Sequence, residues 1–285
     1  MSGNSEGLIG VIGGSGLYQI DSVKVCAEHS IETPFGSPSD KIIEAEMENG
    51  TSAYFLPRHG RDHRFLPSEV NYRANIFALK KLGVKYIISV SAVGSLTDEC
   101  PPGTFVLPDQ LIDWTKGKRE RTFFGNGVVA HVSTAYPIEP GLHKFLNSCS
   151  QELKISHKKN GSYICIEGPQ FSSRAESEIY RSFGATVIGM TNVPEAYLAK
   201  EAGMAYATIA MVTDFDCWKE IHCSVDEIMK VMKDNNQIAQ RLLKYAIPKL
   251  IESPIQFHSE NEVGIMTPRE RMSDAAKEMV EVLIR

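Results

Sequence analysis

Short apolar runs of strand length recur along the chain: LIGVIG (8–13), KYIISVSAVG (85–94), YICIEG (163–168), TVIGM (186–190) and YATIAMVTD (206–214). They are continuous rather than alternating, which predicts strands buried on both faces of a sheet that helices cover. Helical periodicity fills many of the intervals. SEVNYRANIFALKKLG opens on a Ser-x-x-Asn start signal, repeats apolar residues at Val70, Ala74, Phe77 and Ala78, and stops at a glycine. SRAESEIYRSFG, VPEAYLAKEAG, SVDEIMKVMKDNNQIAQRLLKYAI and SDAAKEMVEVLI read the same way. KIIEAEMENGTSAYFLP, with Asn-Gly between two extended stretches, predicts an antiparallel hairpin. Residues 103–137 lack periodicity and read as a long loop region with short strands. There is no repeat and no linker composition, so the pattern predicts one α/β domain with a mixed sheet wrapped by helices.

Composition narrows the partners. The net charge of −5 with scattered Lys and Arg gives no surface for nucleic acid or for an anionic membrane. The one basic cluster, KGKRER (116–121), reads as a solvated loop. The N-terminal stretch lacks the basic flank and apolar length of a signal peptide or membrane span. Six cysteines without a CxxC pair or a regular framework fit a reducing cytoplasm. In that compartment the sequons at Asn49 and Asn160 mark turns only.

In sheets of this kind polar residues just past the strand ends converge on one crevice. After LIGVI comes GGSG (13–16), whose glycines let backbone N–H groups approach an anion while Ser15 adds a hydroxyl. No helical period follows it, which argues against a dinucleotide fold. After SAYFLP come Arg58 and His59, and after YIISV come Ser91, Ala92, Val93 and Gly94. An arginine fork, a histidine donor, a serine and exposed amides together suit an oxyanion, although Arg58 alone could equally be half of a surface ion pair. Thr191 follows TVIGM, whose Met190 serves either as core or as a polarisable wall beside a ligand.

The last run ends in TDFDCW, placing Asp214 and Asp216 where a buried strand stops. Such a pair must face water or meet donors that offset desolvation. A metal is a poor candidate for that donor, because no His or further carboxylate joins the pair. A ligand that donates hydrogen bonds fits better.

IGGSGL, TPFGSPSD, RHGRDH, PSEVNYRANIFALKKLG, SAVGSL, IEGPQFSSRAES, MTNVPEAYLAKEAG and TDFDCWKE, in that order, closely resemble the methylthioadenosine branch of the purine nucleoside phosphorylases. The likeness runs from about residue 8 to 250, with 251–285 as a C-terminal helical extension. It implies the nucleoside phosphorylase fold, with a partly barrel-like sheet, and the phosphorolysis of 5'-deoxy-5'-methylthioadenosine to adenine and 5-methylthioribose 1-phosphate. Inorganic phosphate would be a co-substrate, no cofactor or metal would be needed, and the assembly would be a homotrimer.

Carried over by position, Ser15, Arg58, His59, Ser91, Ala92 and Thr191 resemble the phosphate site, with serine at 15 and 91 where the family often has threonine. Met190 resembles the wall against the ribose. Phe171 and Ser172 fall in the matching EGPQFSS segment of the substrate site, and Asp214 and Asp216 resemble the adenine readers. Asp214 would hold or deliver the proton at N7, which requires a raised pKa, and Asp216 would accept from the exocyclic amine. Val225, Ile228 and Met229 would line the slot for the 5'-methylthio group, with His131 contributed by a neighbouring subunit, although three apolar residues at helical spacing are also what a core supplies. The chain departs from the family at Gln170, usually arginine, and in a 219–225 segment about two residues shorter. The rival readings are a phosphorylase of 6-oxopurine nucleosides, whose branch carries asparagine in place of a base-reading aspartate, and a non-catalytic purine-binding protein, which would have no use for a phosphate set.

Overall fold

The computed structural model describes residues 8–14, 24–220, 225–259 and 261–285. Its strands are β1 (Leu8–Gly13), β2 (Lys24–His29), β3 (Ile42–Glu46), β4 (Ser52–Pro57), β5 (Val84–Ser95), β6 (Phe105–Leu107), β7 (Gln110–Trp114), β8 (His157–Lys159), β9 (Ser162–Ile166), β10 (Val187–Gly189) and β11 (Ala205–Phe215). Its helices are α1 (Tyr72–Lys81), α2 (Pro140–Glu152), α3 (Arg174–Ser182), α4 (Asn192–Glu201), α5 (Val225–Glu252) and α6 (Asp274–Ile284). All five apolar runs are strands, and the Asn-Gly turn joins β3 to β4 in antiparallel register with Ala45 opposite Ala53.

Helix starts follow their caps. Asn71, not Ser68, caps α1, because its side chain accepts from the Ala74 N–H, and Gly83 closes the helix end at a φ of 85°. Ser173 and Glu176 form a reciprocal capping box on α3. Helix α2 was not legible from periodicity: it starts from a Glu139 cap with Pro140 in its first turn, and His143, Asn147 and Ser150 interrupt its buried face.

One sheet runs β2-β3-β4-β1-β5-β10-β9-β7 and forks at β5, where β11 pairs along the other edge and leads on to β6 and β8. The sheet is mixed as expected: β1–β4, β1–β5, β5–β11, β9–β10, β7–β9 and β6–β8 are parallel, while β2–β3, β3–β4, β5–β10 and β6–β11 are antiparallel. The 251–285 region packs onto the same core through Met272, Met279, Val280 and Leu283. It also pairs with the 128–131 loop, since the His131 N–H donates to the Gly264 carbonyl and the Met266 N–H to the Val129 carbonyl. No helix among the described residues is long and apolar enough to cross a membrane.

Candidate active site

The fork in the sheet makes the site. On one edge of β5, β1 pairs only as far as Ile12 opposite Ser89, and β10 takes over at Ile188 opposite Gly94. Between them, residues 90–93 of β5 face a gap in the ladder rather than another strand. Hydrogen-bonding groups of alternate strand residues point to the same edge. The Val90 carbonyl accepts from Arg58 within this gap, so the Ala92 N–H points into it as well.

Arg58, just past β4, closes one side of the gap. Its Nε donates to Glu195 Oε2 at 2.7 Å and its Nη2 to Glu195 Oε1 at 2.9 Å, with further bonds to Ser89 Oγ, the Val90 carbonyl and the Ile12 carbonyl. Burial opposes its charge, but the Glu195 carboxylate more than offsets this and the guanidinium pKa is raised. The bidentate fork foreseen for a phosphate is thus occupied by Glu195, which leaves one Nη1 hydrogen for a ligand. Glu195 sits in the first turn of α4, itself buried and also bonded by Ser89 Oγ and Tyr206 Oη. Sequence reading passed over it. A carboxylate in the apolar VPEAYLA stretch was the available signal.

His59 is buried, stacks on His63, and points its Nδ1 at the Phe65 carbonyl at 2.9 Å. A carbonyl can only accept, so Nδ1 carries the proton. Burial and the Arg58 charge lower the His59 pKa to about 4. Neutral His59 therefore offers Nε2 as an acceptor, which corrects its reading as a second donor: it suits the O–H of a hydrogen phosphate.

Two hydroxyls border the same gap without a partner. Ser91 Oγ on β5 and Thr191 Oγ1 at the β10–α4 junction are buried and make no hydrogen bond. Thr191 occupies the N-cap position of α4 yet its side chain caps nothing. Buried hydroxyls left empty are costly unless a ligand fills them.

Asp214 and Asp216 lie at the end of β11, where the register slips between Val212 and Asp214 and brings Asp214 opposite Gly94. The approach is close, since a Cβ on Gly94 would lie 3.1 Å from Ile188 Cγ2 and 3.5 Å from Asp216 Cβ. The Asp214 carboxylate accepts from Thr213 Oγ1 at 2.6 Å. Burial, with the Asp216 charge adding to it, raises the Asp214 pKa over the opposing Thr213 bond. The Asp216 pKa is raised too, mainly by burial, and its Oδ2 has no partner. The site therefore holds orphaned hydroxyls on one side and an orphaned carboxylate oxygen on the other.

Met190 is half-buried at the lip between them, packed on Gly168, where a Cβ would lie 2.5 Å from Met190 Sδ. Phe171 is exposed, and Ser172 Oγ is buried without a partner while its carbonyl accepts from Cys217 Sγ. Gln170 is exposed. His131 is exposed on the loop that pairs with residues 264–266, and Met229 is exposed on α5. Ser15 and the side chains of Val225 and Ile228 lie outside the described part of the structure. The basic cluster needs a correction: Lys116, Lys118 and Glu120 are exposed, but Arg119 is buried and ion-paired to Glu167 at 2.7 Å, because its side chain turns inward to unpaired carbonyls.

A ladder gap bordered by unpartnered hydroxyls and a backbone amide, with two carboxylates of raised pKa at the neighbouring strand end, is a candidate enzyme site within an α/β scaffold. The chain belongs to the phosphorylase superfamily, whose family model matches residues 8–248. It is 48% identical over 282 residues to the S-methyl-5'-thioadenosine phosphorylase of Geobacter sulfurreducens, covering 98% of each chain. It is 52% identical over 252 residues to the enzyme of that name from Saccharolobus solfataricus, covering 88% of this chain and 93% of that one. Among solved structures, a methylthioadenosine phosphorylase from an antarctic soil metagenomic library superposes with a TM-score of 0.91 at 46% identity, covering 99% of this chain and all of that one. An adenosine/methylthioadenosine phosphorylase mutant from Schistosoma mansoni, in complex with methylthioadenosine, superposes with a TM-score of 0.81 at 34% identity, covering 96% and 98%.

Proposed function

We propose that this chain catalyses the phosphorolysis of 5'-deoxy-5'-methylthioadenosine. Hydrogen phosphate lies in the β5 gap, its oxygens accepting from Ser91 Oγ, Thr191 Oγ1, the Ala92 N–H and the free Nη1 hydrogen of Arg58, with Ser15 completing the cradle. His59 Nε2 accepts the phosphate O–H. The C1'–N9 bond breaks with its electron pair going to adenine, and a phosphate oxygen forms the new bond to C1'. Protonated Asp214 gives its proton to N7 of the departing base, and the proton released as hydrogen phosphate becomes the ester dianion reprotonates Asp214. Asp216 Oδ2 accepts from the exocyclic amine, while Met190 packs on the ribose and Phe171 and Ser172 flank the base.

The oxocarbenium-like sugar lies between the phosphate charge and the stabilised leaving group, and each is worth a few kcal/mol, on the order of the oxyanion-type terms seen in other enzymes. The assembly is a homotrimer in which His131 reaches the site of a neighbouring copy, and Val225, Ile228 and Met229 receive the methylthio group. Six cysteines without a CxxC pair or a regular framework support a reducing, cytoplasmic setting.

The observation that carries this reading is the pairing of orphaned buried hydroxyls at Ser91 and Thr191 with the orphaned carboxylate oxygen of Asp216. Adenine release from methylthioadenosine, beside adenosine and inosine, tests it. Preference for methylthioadenosine supports the reading; preference for inosine means that Asp214 and Asp216 do not read a 6-aminopurine.

A further inference from the structure

Strands β9 and β10 run parallel only from Tyr163 opposite Val187 to Cys165 opposite Gly189. Beyond that point they part. One chain goes on through Glu167 and Gly168 towards Phe171 and Ser172, the other through Met190 and Thr191 into α4. These are two lips of the candidate site, and no ladder bond joins them.

Arg119 spans the opening. Its Nη1 donates to the Met190 carbonyl at 2.8 Å and the Val193 carbonyl at 2.6 Å, which bracket Thr191. Its Nη2 donates to the Glu167 carbonyl at 2.8 Å, and its Nε to Glu167 Oε1 at 2.7 Å. The Lys116 N–H donates to Glu167 Oε2, so the loop that carries the arginine is fixed to the same lip. A planar five-donor fork can reach acceptors on both strands in one geometry, which an ammonium cannot. The two lips touch at Gly168, whose φ of 71° favours glycine and whose added Cβ would lie 2.5 Å from Met190 Sδ.

We infer that Arg119 is a positioning residue that sets the separation of the two lips and so the placement of Thr191 on phosphate and Met190 on the sugar. The inference rests on the phosphorolytic reading of the site. Arg119 touches no substrate; it replaces the sheet bonds that end at Gly189. It makes no hydrogen bond to β11, so the carboxylates at the strand's end are independent of it.

Calorimetric titration of phosphate and of adenine into the full chain separates this role from plain structural support. Arg119→Lys is expected to weaken phosphate binding about 10-fold or more, the scale at which small misplacements act. Adenine binding should weaken clearly less than phosphate binding, because only Phe171 and Ser172 of the base site lie on a clamped lip while Asp214 and Asp216 at the end of β11 make no bond to Arg119. The Michaelis constant for phosphate rises in parallel. A fall in thermal stability with phosphate affinity unchanged, or an equal loss for both ligands, overturns the inference. Should Arg119→Lys not fold, Glu167→Gln loosens the same clamp from its other end, and an unchanged phosphate affinity there overturns it equally. A wild-type chain that binds both ligands but does not turn over methylthioadenosine refutes the phosphorolytic reading, while the two binding ratios still decide the role of Arg119.

Discussion

Arg58 and Glu195, 137 positions apart in sequence, form a bidentate ion pair with both side chains almost wholly out of solvent. The pair locks the end of β4 to the first turn of α4 across the gap in the β5 ladder, so the groups proposed to hold phosphate stand on a rigid frame. Removing one partner strands a buried charge, and Glu195→Ala is expected to destabilise the chain by about 3–5 kcal/mol. Replacing both by apolar residues of similar volume should recover most of that loss while phosphate affinity stays poor. Denaturant unfolding beside phosphate titration checks this; a double variant that binds phosphate normally would remove Arg58 from the anion site.

The unpartnered hydroxyls predict a different signature. Thr191→Val and Ser91→Ala remove oxygens that hydrogen-bond to no protein group. Stability should hold or rise slightly, whereas each lost bond to a charged ligand costs about 1.5–3 kcal/mol, or about 10- to 100-fold in phosphate affinity. Melting temperature and the Michaelis constant for phosphate, measured together, check it. A loss of stability without loss of affinity would make both hydroxyls structural.

How much of this was legible in the sequence depends on range. The continuous apolar runs marked β1, β5, β9, β10 and β11, and the strand ends pointed to Arg58, His59, Ser91, Thr191 and the aspartates, because strand burial and strand termini are local properties. Glu195 escaped notice and Arg119 was read as part of a solvated loop, since the meaning of both lies in partners far along the chain. Charge composition made Arg119 look solvated, yet the carbonyls that need it become unpaired only where β9 and β10 diverge. His59 was recognised as a site residue, but its role as acceptor depends on the Phe65 carbonyl, which no spacing rule reveals. The local signal for α2 was too weak beside its polar half.

The two aspartates are expected to separate in function. Asp214→Asn cannot deliver a proton, and kcat should fall by about 10²- to 10⁴-fold. Asp216→Asn should shift preference towards 6-oxopurine substrates by turning an acceptor into a group that also donates. The ratio of adenine to hypoxanthine released from adenosine and inosine is the readout, and an unchanged ratio would deny Asp216 its part in base selection.

His59 links stability to pH. Its pKa is about 4 in the folded chain against an ordinary 6.5, mainly because it is buried. Between those values the unfolded chain binds a proton that the native state does not, so stability increases with pH and is lost as pH falls through that window. His59→Gln should flatten the profile of unfolding free energy there by on the order of 2 kcal/mol. Parallel profiles for the two proteins would mean that His59 titrates normally.

Phosphorus NMR of the reaction with methylthioadenosine tests the central claim most directly. One sugar 1-phosphate ester should appear for every adenine released, with inorganic phosphate consumed in step and no adenine formed in its absence. Adenine release with inorganic phosphate unchanged would identify a hydrolase and contradict the assignment of the β5 gap to phosphate.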